Sequence, residues 1–121
     1  MSENKKTLVI GASENPERYS NKAIRALRFN KHEVVALAKR RGRVEDVEIQ
    51  TTFPEEEIHT VTLYIGPQHQ AEYYSSVVNL KPKRVIFNPG TESDVFVQLL
   101  EANGIEAVEA CTLVMLSIGN Y

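Results

Sequence analysis

The sequence has no tryptophan and a single cysteine, Cys111. One thiol excludes an internal disulfide framework and fits a reducing compartment. No apolar run approaches the roughly 20 residues that a membrane-spanning helix needs. The N-terminal "MSENKKT" lacks the apolar centre of a cleavable signal and reads as a short polar lead-in. The formal net charge is only −2, so neither nucleic acid nor a membrane surface is drawn by a global field. A cytoplasmic protein without such partners is expected. Glycine is also sparse, at six residues, and the G-x-G-x-x-G dinucleotide fingerprint is reduced to Gly11 alone. His32, His59 and His69 are scattered, with no partner at metal-ligand spacing, so no metal site is expected. No nucleophile–base pair can be named, and no catalytic residue is assigned. A non-catalytic protein is favoured over an enzyme.

What remains is enough for one domain with a real core: 121 residues, 42% hydrophobic and 25% charged. Short apolar runs alternate with helical patterns. Residues 7–12, "TLVIGA", read as a strand buried on both faces. Ala23, Ile24 and Leu27 then recur at helical spacing, predicting a helix from about Asn21 to Phe29. Further strands are expected at 33–38, at 60–65, at 84–88 and at 105–110, with a short one around 47–49. Gly66 and Pro67 are expected to start a helix with a buried stripe of Ala71, Tyr74, Val77 and Val78. "TESD" reads as a capping box, Thr91 accepting a backbone N–H while Asp94 reaches back. The helix behind it carries Val95, Phe96, Leu99 and Leu100 on one side and ends at Asn103-Gly104. "TLVMLSIG" is expected as a terminal helix. His32 and His59 are placed at the surface, Cys111 as a buried inert thiol, and Tyr73 and Tyr74 as one surface and one core residue.

This alternation argues for an α/β fold: a single-domain, doubly wound, Rossmann-like and mostly parallel sheet over residues 1–121, with helices on both faces. Ligands of such sheets bind beyond the carboxyl ends of the strands. Three loops are thereby selected, 11–21, 66–69 and 88–92, with a fourth, 39–43, nearby.

The first loop offers Gly11 for close backbone approach, Ser13, Asn15, Ser20 and Asn21 as small polar groups, and Arg18 as a fixed charge. Ser20 or Asn21 is a candidate cap for the following helix, whose N-terminus favours an anion such as phosphate. The same residues also suit a plain turn and a plain cap. An NAD site needs an acid roughly 20 residues beyond the glycine turn. That region instead carries Lys39, Arg40, Arg41 and Arg43, and no acid before Glu45. Guanidinium groups there suit a ribose phosphate, the 3′-phosphate of coenzyme A or the 2′-phosphate of NADP. A solvated basic turn is the alternative. Gly66 and Pro67 offer close packing against a ligand; Asn88 and Gly90 adjoin another helix start, and Glu92 complements its dipole.

Three segments, "VIGASENPERYSNKAIRAL", "VTLYIGPQHQAEYY" and "RVIFNPGTES…NGIEAVEACT", resemble the small stand-alone CoA-binding proteins. Their fold is similar to the N-terminal CoA-binding domain of the succinyl-CoA synthetase α subunit. The resemblance covers about residues 7–112. It implies a Rossmann-like domain that binds coenzyme A or an acyl-CoA. Gly11, Ala12, Ser13, Asn15, Arg18 and Ser20 would contact the phosphates. Gly66 and Pro67 would lie along the nucleotide or pantetheine, and Asn88, Pro89 and Gly90 would close the far side. The chain departs from the family where relatives end the second strand with a "VNP" turn, since Ala38-Lys39 stands there. The basic cluster of Lys39, Arg40 and Arg41 would serve the adenosine end instead. The synthetase's second domain, with its phosphorylated histidine, is not expected, so ligase chemistry by this chain alone is excluded. The function expected is a non-catalytic CoA or acyl-CoA module, regulatory or presenting its ligand to a partner. The alternatives are a small NADP-dependent oxidoreductase or a subunit of one, and a scaffold that has lost its ligand. A protein partner and a homo-oligomer both remain open.

Overall fold

In the computed structural model, residues 3–121 are described; Met1 and Ser2 of the polar lead-in lie outside them. Four consecutive apolar-flanked residues, Thr7–Ile10, form β1 with every side chain buried. Such a strand needs cover on both faces, and its alternation shows how that cover is divided. Leu8 and Ile10 point into one core with Val77, Phe96 and Leu100. Val9 points into the other with Ile24, Leu27 and Leu116.

The chain runs β1, α1 (Tyr19–Phe29), β2 (Val34–Leu37), β3 (Gly42–Val44), β4 (Val47–Gln50) and β5 (Thr60–Leu63), then two 3₁₀ turns (Pro67–His69 and Ala71–Tyr73). It continues as α2 (Tyr74–Leu80), β6 (Arg84–Phe87), α3 (Asp94–Ala102), β7 (Glu106–Glu109) and α4 (Thr112–Ser117). The seven-stranded sheet has the order β3-β4-β2-β1-β5-β6-β7. All neighbours are parallel except β3 and β4, which pair antiparallel. Ile10 lies level with Leu37 on one side and Leu63 on the other. Strand order reverses about β1, so the switch point lies between the carboxyl ends of β1 and β5. The fold is the single, Rossmann-like α/β domain expected.

Several local expectations are corrected. The first helix begins at Tyr19, and its N-cap is Arg18, with no side-chain cap bond. Neither Ser20 nor Asn21 caps it: both are buried inside its first turn, and the Asn21 amide Nδ2 donates to the Ser13 carbonyl at 2.9 Å. The basic loop is shorter than expected because Gly42 already opens β3. Behind Gly66, two 3₁₀ turns precede the α-helix, and Ala71 is exposed rather than part of a buried stripe. The capping box is displaced by two residues: Ser93 Oγ accepts the Phe96 N–H at 3.2 Å. Thr91 is pulled inward by a tight turn and donates its hydroxyl to the Asn88 carbonyl at 2.8 Å. In α3, Phe96 and Leu100 are buried while Val95 is exposed. Cys111 is half-buried at the start of α4, and Tyr73 and Tyr74 are both half-buried.

The lead-in and His32 are the larger corrections. Among the described residues of the lead-in, Lys5 donates its backbone N–H to His32 Nδ1 at 2.9 Å. The Lys5 ammonium reaches the Tyr121 carbonyl, and Lys6 pairs with Glu56. His32 is therefore not a surface residue: it is 4% exposed and lies 5.0 Å from the Tyr121 ring, centroid to centroid. Among the described residues, no helix is long and apolar enough to cross a membrane.

Candidate functional site

The groove lies where the strand order reverses. Its central cleft, of about 580 Å³, is lined by the first loop, by Tyr64, Ile65 and Gly66 after β5, and by Pro89, Gly90 and Thr91 after β6. A second compartment of about 350 Å³ shares Gly11, Tyr64 and Ile65 with it and extends to Lys39, His69, Glu72 and Tyr73. A third, of about 400 Å³, continues from Ala12, Ala38 and Lys39 to Arg40 and Arg41. Shared walls make these one continuous groove across the carboxyl edge.

Gly11 makes the crossing possible. Its φ is +95°, and a Cβ there would stand 2.9 Å from both Ile65 Cγ2 and the Tyr64 carbonyl oxygen. Only glycine lets the chain leave β1 in this direction and pass so close to β5. The loop then holds itself. Ser13 Oγ accepts the Asn15 N–H at 3.1 Å, and Asn15 Oδ1 accepts the Glu17 N–H at 3.0 Å. These are the local side-chain turns that serine and asparagine favour. The loop delivers Arg18, Tyr19 and Ser20 to the cleft at an α1 N-terminus that no side chain caps. The Asn21 N–H is taken by the Arg18 carbonyl. The Tyr19 and Ser20 N–H groups have no partner among the described residues and, with the helix dipole and the Arg18 guanidinium, suit a phosphate.

The far wall is built differently. Asn88 is 2% exposed and stands behind the rim rather than on it. Its Nδ2 donates to Thr62 Oγ1 at 2.7 Å and to the Leu63 carbonyl at 2.8 Å, while its Oδ1 accepts the Thr112 N–H at 2.9 Å. Asn88 thus ties β5, β6 and α4 together, and Pro89 and Gly90 are the residues that face the cleft. Gln70, fully buried, links the same two loops by donating to the carbonyls of Ile65 and Thr91. Gly66 is covered by the Gln68 side chain, whose Oε1 lies 2.6 Å from where a Cβ would stand.

At the basic end the cations are not equivalent. Lys39 is paired with Glu72 and lies over the Tyr73 ring, and its hydrogen bond to Glu72 raises its pKa. Arg43 is paired with Glu48. Arg40 and Arg41 have no acidic partner within 4 Å among the described residues. Tyr64 is different again: burial pushes its hydroxyl pKa well up, so it stays neutral. No carboxylate orients the His69 ring among the described residues, and none of their His, Cys, Asp and Glu side chains form a group that could hold a metal ion.

The model of the CoA binding domain matches residues 5–117. The chain belongs to the CoA binding domain family. Solved structures agree with the CoA binding domain over nearly all of its length. An uncharacterized protein is 45% identical, with a TM-score of 0.95, 99% of this chain covered and 100% of that one. A Thermus thermophilus protein is 20% identical with a TM-score of 0.86, covering 98% of this chain and 91% of that one. A conserved hypothetical protein of Pyrococcus furiosus is 24% identical, with a TM-score of 0.79, 91% of this chain covered and 97% of that one. The last two likenesses concern the fold alone. No curated protein matches.

Of the residues selected from sequence, the CoA binding domain brings Gly11, Ser13, Arg18, Ser20, Gly66, Pro89 and Gly90 to the central cleft, and Ala12, Asn15, Lys39, Arg40 and Arg41 to the compartments beside it. Pro67 lies outside these walls, on the first 3₁₀ turn. Sequence reasoning missed Tyr64, Ile65, Glu14 and Glu72. The first two were assigned to the strand at 60–65, but β5 ends at Leu63 and leaves both on the carboxyl edge. Glu14 and Glu72 gave no signal, because each meets the basic segment only across the fold, 29 and 33 residues away in sequence.

Proposed function

We propose that the chain binds coenzyme A or an acyl-CoA as a non-catalytic module. The observation that carries this reading is the order of chemistry along one groove. Uncapped helix N–H groups and Arg18 stand at the switch point, and unpaired Arg40 and Arg41 stand at one end. Coenzyme A has the matching order: a diphosphate in the middle and a 3′-phosphorylated adenosine at one end. The pantetheine arm then follows the wall of Ile65, Gly66 and Pro89, and Gly66, Pro67, Pro89 and Gly90 serve packing more than charge. Asn88 acts by holding that wall in place. The residues at the groove offer positioning and charge but no oriented acid–base pair, which favours a carrier, sensor or presenting role over turnover.

Calorimetric titration with CoA, acetyl-CoA and NADP tests the reading. CoA and acetyl-CoA are expected to bind alike in the micromolar range, and NADP more weakly. Binding of NADP alone would overturn it in favour of a small oxidoreductase or a subunit of one.

A further inference from the structure

The basic end of the groove contains an acid that belongs to none of its ion pairs. Glu14, on the loop after β1, lines the same compartment as Lys39, Arg40 and Arg41. Its carboxylate lies flat on the start of β3 and accepts the Arg43 backbone N–H through Oε2 at 2.9 Å. The approach depends on Gly42, where a Cβ would meet Glu14 Cδ at 2.6 Å and Oε1 at 3.0 Å. Oε1 has no hydrogen-bond partner among the described residues. Among the described residues no cation lies within 4 Å of the carboxylate either, although Lys39, Arg40 and Arg41 share the compartment. One compartment therefore holds an exposed carboxylate anchored through one oxygen, and two exposed guanidinium groups with no acidic partner among the described residues. A ligand that answers both carries a hydroxyl donor next to a phosphate.

We propose that Glu14 is a specificity residue that accepts a free ribose hydroxyl while Arg40 and Arg41 hold the phosphate on the neighbouring ribose carbon. The assignment rests on the CoA reading and refines it. In coenzyme A the free group is the 2′-hydroxyl and the phosphate is at 3′. Exchanging the two would set a phosphate against the carboxylate, so a 2′-phosphorylated nucleotide is rejected by charge. Glu14 thus replaces, from the first loop, the acid that dinucleotide sites place after the second strand.

Titration of the full chain and of Glu14→Gln with CoA, adenosine 3′,5′-bisphosphate and adenosine 2′,5′-bisphosphate tests this. The unaltered chain is expected to prefer the 3′,5′ isomer about tenfold, the size of one charge-assisted hydrogen bond. Glu14→Gln is expected to weaken CoA about tenfold and to erase the preference. Gly42→Ala, which displaces the carboxylate without removing its charge, is expected to act in the same direction. If Glu14 merely damped the cationic field, Glu14→Gln would bind CoA equally or more tightly. That result overturns the proposal and leaves the CoA reading standing. A Gly42→Ala chain that binds CoA normally also counts against it. If the unaltered chain binds neither CoA nor the bisphosphates, the CoA reading falls and Glu14's role with it.

Discussion

Replacing Gly11 by alanine separates two reasons for a glycine at the switch point. At φ +95° an alanine is strained by about 1–2 kcal/mol. Its Cβ would also stand 2.9 Å from Ile65 Cγ2 and from the Tyr64 carbonyl oxygen. The carbonyl belongs to the backbone and cannot swing away, so overpacking adds about 1–3 kcal/mol. A stiffer unfolded chain returns about 0.4–1 kcal/mol. The net loss is about 3 kcal/mol, a large share of the roughly 5–15 kcal/mol that domains of this kind possess. Gly90 supplies the control, since its φ is +92° but nothing lies within 4 Å of its Cβ position. Gly90→Ala carries only the backbone strain and is expected to cost about 1 kcal/mol or less. Urea unfolding of the three proteins, compared at constant slope, measures the difference. Equal losses for the two variants would refute the close approach of β1 and β5 as the reason for Gly11. So would a loss at Gly11 below about 1 kcal/mol.

Reversing Arg40 and Arg41 to glutamate is expected to weaken CoA strongly and 3′-dephospho-CoA much less; calorimetry that finds equal losses removes the pair from the ribose phosphate. Asn88→Ala leaves the Thr112 N–H and the Leu63 carbonyl without their buried partner, so about 2–4 kcal/mol of stability should be lost, read by urea unfolding. His32 makes stability depend on pH. Burial, then the charges of Lys5, Arg84 and His59, lowers its pKa below the ordinary 6.5. The unfolded chain therefore binds more protons in the window just below that value. Stability from neutral His32 is complete above it and is lost as pH falls through the lowered pKa. Unfolding free energies measured across this range should fall toward acid, and His32→Asn should flatten the fall; an unchanged slope would count against the neutral lock.

The fold was legible because its strands are short, apolar and separated by helical spacing, and a parallel sheet leaves little choice of architecture. Where single side chains decide, the sequence was less transparent. "TESD" contains two hydroxyls that can cap, and the turn at Gly90 decides for Ser93 by drawing Thr91 into the core. Ser20 has the chemistry of a cap, but helix α1 starts a residue earlier and buries it. His32 follows a helix end in a polar stretch, and only its contacts with Lys5 and Tyr121 reveal why it is buried. The basic run was visible, yet its division into paired Lys39 and Arg43 and unpaired Arg40 and Arg41 depends on Glu72 and Glu48. Such pairings follow from the folded path, which composition does not encode.

The two edges of the sheet are ordered by different contacts. At the amino edge, the Tyr121 hydroxyl meets Thr7 Oγ1 at 2.6 Å and its ring lies 4.5 Å from the Arg84 guanidinium. Lys5 and His32 join these contacts, beside a recess of about 440 Å³ that they line with Tyr121. At the carboxyl edge the loops remain open, but they are not equally ordered. The first loop is tied by its own Ser13, Asn15 and Asn21 bonds, so a phosphate at α1 meets donors already in position. Arg40 and Arg41 are exposed and untied, and holding each costs roughly 0.5–1.5 kcal/mol of side-chain ordering. In the proposed complex their charge would therefore contribute less affinity than its magnitude suggests, and salt would weaken it. Affinity should reside mainly in the middle of the groove and discrimination at its basic end. Glu14, already held on the Arg43 N–H, would discriminate there at a smaller ordering cost.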